Sequence, residues 1–134
     1  MTHRHDSQAL SRYAWPPSNG AVGAHLGAEH LLVLTTCGNS QDAGNLAEAL
    51  VERRLAACVN RLEGVVSTYR WEAAVHNDRE VLLLIKTTSE QLKDVESSIK
   101  ELSGYELPEV LAVPIDGGSA EYLHWLASSV GPED

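Results

Sequence analysis

Apolar positions along this chain follow two periods. "HLLVLTTC" (30–37) is an unbroken leucine-rich and β-branched run, which predicts a buried strand. Leu46, Ala47, Leu50 and Val51 then recur at helical spacing, with Asn39 or Ser40 available as a cap. Arg53 and Arg54 stand at the C-terminal end of that helix, where its dipole favours cations. "CVNRLEGVVSTYRWE" (58–72) and "REVLLLIKT" (79–87) predict two strands of a long antiparallel hairpin, joined by the polar "AAVHND", with Gly64 bending or bulging the first arm. Thr88 to Gln91 has the form of a capping box, Leu92, Val95, Ile99 and Leu102 give a second helix its apolar stripe, and Gly104 stops it. "YELPEVLAVPI" (105–115) predicts a fourth strand, and "DGGSAEYLHWLASSV" a turn and a helix capped by Ser119 that packs Leu123 and Leu126.

The order is βαββαβ followed by α, the split βαβ signature of an α+β, ferredoxin-like sandwich with an extra C-terminal helix. A sheet covered by helices on one face should alternate apolar and polar residues. Leu31 to Leu34, Val81 to Ile85 and Val110 to Val113 are instead apolar on both faces. The second face must also be covered, and other copies of the same chain are the expected cover, which makes the protein a homo-oligomer. Pro108 and Pro114 bracket the fourth strand, as suits an edge.

With 134 residues the chain has room for one domain. Its net charge of −9 is unevenly placed: residues 1–28 carry +1, leaving eight basic against eighteen acidic residues, a net of −10, in 29–134. Such a domain repels phosphate, so no nucleic-acid or anionic-membrane partner is expected. Residues 1–28 show neither period and contain Pro16-Pro17, which reads as a flexible N-terminal leader preceding a domain over 29–134. No apolar run is long enough for a membrane helix or an ordinary secretory signal, so the cytoplasm is the expected compartment. There the two cysteines are expected to be free thiols.

Cys58, between a helix and a strand, reads as a small buried apolar residue. Cys37, at the exit of the first strand and expected nearer the surface, is open to burial, thiolate metal ligation or redox sensing. "HRHD" (3–6) has borderline ligands for Cu(II) or Ni(II), although a plain tail suits two histidines better. His76 falls at the hairpin tip and His124 in the last helix, each without a nearby second ligand in sequence. Glu106 and Glu109 flank Leu107-Pro108; paired carboxylates can share a proton or a cation, but extended spacing alone does not bring them together. Tyr69, Trp71, Tyr105 and Trp125 dominate the aromatics of a chain without Phe, and suit a half-wet interface. There is no glycine-rich phosphate loop, nucleophile elbow, CxxC pair or HExxH, and no catalytic set, so an enzyme is not expected.

Taken in order, "ERRLAACVN", "TYRWE", "LLLIKTT", "YELPEVLAVPI" and "EYLHWL" resemble the CutA family of divalent-cation tolerance proteins over about residues 31 to 127. The resemblance implies a tight homotrimer of ferredoxin-like subunits, similar in architecture to the PII signalling proteins, and a role in tolerance of copper and other divalent cations. Copper or another divalent cation is the ligand it implies, with no organic cofactor. Its shared polar and aromatic positions fall on Tyr69, Trp71, Glu80, Lys86, Tyr105, Glu106, Pro108, Glu109 and Trp125, near a cleft between subunits. Cys37, Glu106 and Glu109 are the candidate metal ligands; Tyr69, Trp71, Lys86, Tyr105 and Trp125 are the candidate cleft residues. The chain also departs from the family. Thr35 and Leu102 or Ser103 stand where copper-binding members offer cysteine and histidine, and Ala73-Ala74 stands where many members have Gly-Lys. Carboxylates alone favour harder ions than copper, so weak binding is expected. The alternative expectation is a PII-like signalling or scaffold trimer whose clefts hold a small metabolite or a partner peptide.

Overall fold

A computed structural model describes residues 29–133. The expected leader and its "HRHD" motif lie outside the described residues. Four strands and three α-helices follow one another as β1 (His30–Cys37), α1 (Ser40–Glu52), β2 (Cys58–Trp71), β3 (Ala74–Thr88), α2 (Leu92–Leu102), β4 (Leu111–Pro114) and α3 (Ala120–Ser128). The sheet is antiparallel throughout, in the order β2-β3-β1-β4. β3 is thus inserted between β1 and β2, the split arrangement anticipated from the order of elements.

One face of the sheet holds the core. Leu31, Val33, Val81, Leu83 and Ile85 pack against Ala43, Leu46, Ala47 and Leu50 of α1 and Val95 and Ile99 of α2. Val51, expected on the same stripe, is instead 43 % exposed: it lies one position past Leu50, about 100° further round the helix. Asn39 caps α1 by accepting from the Asp42 N–H, and Ser119 caps α3 by accepting from the Tyr122 N–H. Arg54, in the left-handed region at φ 60°, ties the end of α1 to the end of α3: its Nε donates to the Gly131 carbonyl at 2.6 Å, and its own carbonyl accepts from the Gly131 N–H.

Three local expectations need correction. The hairpin turn is two residues, Glu72 and Ala73, because β3 begins at Ala74 and pairs it with Trp71. Both turn residues have positive φ, as a type I′ turn requires, but neither is the Asn or Gly that normally announces one. His76 therefore sits within β3 rather than in a loop. Thr88 precedes a short 3₁₀ turn (Ser89–Gln91) and makes no side-chain capping bond, so the expected box does not form. β4 is four residues long, since residues 105–110 run irregularly.

The other face is apolar and thinly covered. Registered pairs share a face, so Leu34 and Leu111, Leu32 and Val113, and Leu62 and Leu82 lie together on it, with Leu84 beside them. Leu62, Leu111 and Val113 are exposed, and α3 reaches this face at one end, where Lys86 Nζ stands 5.9 Å from the centre of the Tyr122 ring. At the opposite end β2 and β3 run on past β1, whose pairing with β3 stops at Val81, leaving a two-stranded arm. Among the described residues no helix is long and apolar enough to cross a membrane.

Candidate functional site

The site begins with one extra residue. Between the Leu62–Leu82 and Val65–Glu80 pairs, β2 spends two residues where β3 spends one, and Gly64 takes the bulge at φ 75°. The bulge shifts the phase of β2. Before it, Cys58, Asn60 and Leu62 face away from the helices; after it, Val65, Ser67, Tyr69 and Trp71 do, where uninterrupted alternation would have presented even-numbered residues. Tyr69 is held there: its hydroxyl donates to Asp78, and its ring stacks on His76 with centroids 5.5 Å apart.

Gly104, at φ 87°, turns the chain out of α2. Tyr105 follows at once, and its hydroxyl donates to Glu80 Oε2 at 2.5 Å, pinning the segment that carries Glu106, Leu107 and Glu109 to β3. The result is an open pocket of about 660 Å³. Tyr69, Trp71, Tyr105 and Leu107 give it apolar walls, Glu80, Glu106 and Glu109 line it with carboxylates, and Thr36 and Ser67 add hydroxyls.

Its electrostatics are one-sided. Partial burial, then the neighbouring Glu80 charge, pushes the Glu109 carboxyl above its usual range. Burial and the bond to Glu80 keep the Tyr105 phenol protonated, and the bond to Asp78 does the same for Tyr69. Among the described residues the ion pairs are Arg53–Glu101 and Lys100–Glu96, so the pocket carboxylates have no Lys or Arg partner.

The structure thus gathers Tyr69, Trp71, Tyr105, Glu106 and Glu109, together with Glu80. It does not gather the rest. Cys37, expected near the surface, is fully buried on the core face, where desolvation, then Asp42 and Glu80, raise its thiol to about 11. Thr35, on the same face, is equally buried. Lys86 lies six residues from Glu80 along β3, roughly 20 Å away at strand rise. Trp125 sits beside Tyr122 in that distant cluster, with ring centroids 5.3 Å apart. Asp78 was missed by the sequence reading, although period-2 alternation from Glu80 would have found it on the same face.

Among the described residues no three His, Cys, Asp or Glu side chains cluster closely enough to hold a metal ion. The pocket's donors are oxygens, which fit a hard or borderline divalent ion held loosely and do not fit a thiophilic one.

These features define an α+β domain with an acidic, aromatic-walled pocket on the exposed face of an antiparallel sheet. Residues 31–129 match the sequence model of the family described as "CutA1 divalent ion tolerance protein", and the chain belongs to that family. It is 45 % identical over 100 residues to the divalent-cation tolerance protein CutA of Thermus thermophilus, a match covering 75 % of this chain and 97 % of that one. It is 41 % identical to the chloroplastic protein CutA of Arabidopsis thaliana over 74 % of this chain, which spans about half, 54 %, of that relative. The solved structure of the Thermus thermophilus divalent cation tolerance protein superposes with a TM-score of 0.75 at 44 % identity, covering 76 % of this chain and 99 % of that one.

Proposed function

We propose that the chain acts in divalent-cation tolerance as a homotrimer of ferredoxin-like subunits, binding a divalent metal weakly through Glu106, Glu109 and Glu80. The observation that carries this reading is that Glu80, Glu106 and Glu109 line one pocket with no Lys or Arg partner among the described residues; they do not form a ready-made ligand cluster, so a metal has to draw them together, which is why the binding is weak. Cys37 is left out of the ligand set, because a buried, protonated thiol is a poor ligand. The exposed apolar face supports self-association, since Leu62, Leu111 and Val113 are costly to leave in water. A neighbouring copy also gives Lys86 and Trp125 a route to the cleft that they lack within one chain.

A titration with Cu(I), Cu(II) and Zn(II) tests the site. Binding no tighter than about micromolar is expected, weakened in Glu109→Gln and unchanged in Cys37→Ser. No binding of any ion, or a loss confined to Cys37→Ser, rejects it. Light scattering tests the assembly: about three times the 14.5 kDa chain mass is expected, and a monomer at micromolar concentration rejects it. We place the protein in the cytoplasm; recovery in a membrane or periplasmic fraction would contradict that.

A further inference from the structure

A loosely held metal leaves much of the pocket unexplained. An ion asks for a few oxygens at close range, whereas this cavity has the size of an organic ligand site and three aromatic walls. Carboxylates beside aromatic faces attract one kind of ligand above others, a cation that also carries hydrocarbon. Both phenol hydroxyls are committed, Tyr69 to Asp78 and Tyr105 to Glu80, so what these side chains have left to offer is mainly ring surface. Stacking on His76 fixes the Tyr69 ring in place before any ligand arrives.

We propose that the pocket binds an aliphatic diamine or polyamine, with ammonium groups on Glu80, Glu106 and Glu109 and the methylene chain along Trp71, Tyr69 and Leu107. A primary ammonium has three N–H donors for the carboxylates and the Ser67 hydroxyl, while an ammonium close to Trp71 gains from the electron-rich indole face. A quaternary ammonium has no N–H to give, and would leave those acceptors unpaired. Two or more ammonium groups also match a pocket with three carboxylates better than one does. The inference uses the pocket and not the metal reading; because both ligands use the same carboxylates, metal and amine compete.

The test is calorimetric titration of the full chain, in physiological salt, with putrescine, spermidine, choline and Mg²⁺. Putrescine or spermidine binds more tightly than choline, and Trp71→Leu and Glu109→Gln each weaken amine binding by about tenfold, the weight of one desolvated cation–π or charged contact. The exposed-helix control Glu121→Gln leaves it unchanged. Absence of amine binding, choline binding as tightly as putrescine, or equal weakening by Glu121→Gln overturns the proposal. In the unsubstituted protein, putrescine shifts the indole N–H resonance of Trp71 and not that of Trp125; an unmoved Trp71 overturns it even if a variant misfolds. Amine binding without metal binding defeats the metal reading alone, and metal binding without amine binding defeats this inference alone.

Discussion

Replacing Thr35 by valine is expected to stabilise the protein. Thr35 is fully buried at the centre of β1, paired with Leu83, and among the described residues its Oγ1 is the one buried side-chain nitrogen or oxygen without a hydrogen-bond partner. Leaving a buried hydroxyl unsatisfied costs about 1–3 kcal/mol. Valine keeps the β-branch that suits a strand and exchanges the hydroxyl for a methyl, which adds some burial and some crowding of the same order. The net expectation is a gain of about 1–2 kcal/mol, at about 4–8 °C in Tm per kcal/mol for a domain of this size. Thr35→Ser is the control: it keeps the hydroxyl, deletes a core methyl and should lose about 1 kcal/mol. Denaturant melts of the three proteins at one matched chain concentration check this, because the stability of the proposed trimer would depend on concentration. If Thr35→Val proves less stable than the unsubstituted protein, the hydroxyl has a partner and the reasoning fails.

Replacing Glu72-Ala73 by Asn-Gly should stabilise the hairpin by about 1 kcal/mol, since both positions sit at positive φ that ordinary side chains resist; an unchanged or lower Tm would refute it. Glu109→Gln should raise Tm at pH 7. Its folded pKa is raised above the unfolded value, so the folded state binds more protons between the two, stability falls as pH rises through that window, and the advantage of glutamine fades towards pH 4. A constant advantage across that range would argue against the burial of the carboxylate. Cys37 should resist alkylation in the folded protein at pH 8 and react once it unfolds, as peptide mapping by mass spectrometry would show; rapid native labelling would contradict its burial and its raised pKa.

The sheet and helices were legible because the apolar periods of 30–37, 46–50, 79–87 and 92–102 are strong, and Asn39, Gly104 and Ser119 mark their ends by known chemistry. The hairpin turn was not, because Glu72-Ala73 occupies left-handed backbone without the residues that favour it; the register of the long ladder dictates the turn. Glu106 and Glu109 could be named but not joined from spacing, since what brings them to Glu80 is a single long-range bond from Tyr105. Cys37 was misplaced because the end of a strand suggested the surface, whereas strand parity sends its side chain into the core beside Thr35.

The arm formed by β2 and β3 beyond Val81 has a consequence for how order is acquired. Two strands alone are marginal in water, and among the described residues no third strand flanks residues 65–79. In the homotrimer proposed above, amide exchange should divide the molecule, with slow protons along β1 and the inner half of β3, and protons of the arm whose protection rises with chain concentration. Tyr69 and Trp71 belong to the second group, so in the proposed assembly the walls of the pocket take their final stiffness from a neighbouring copy.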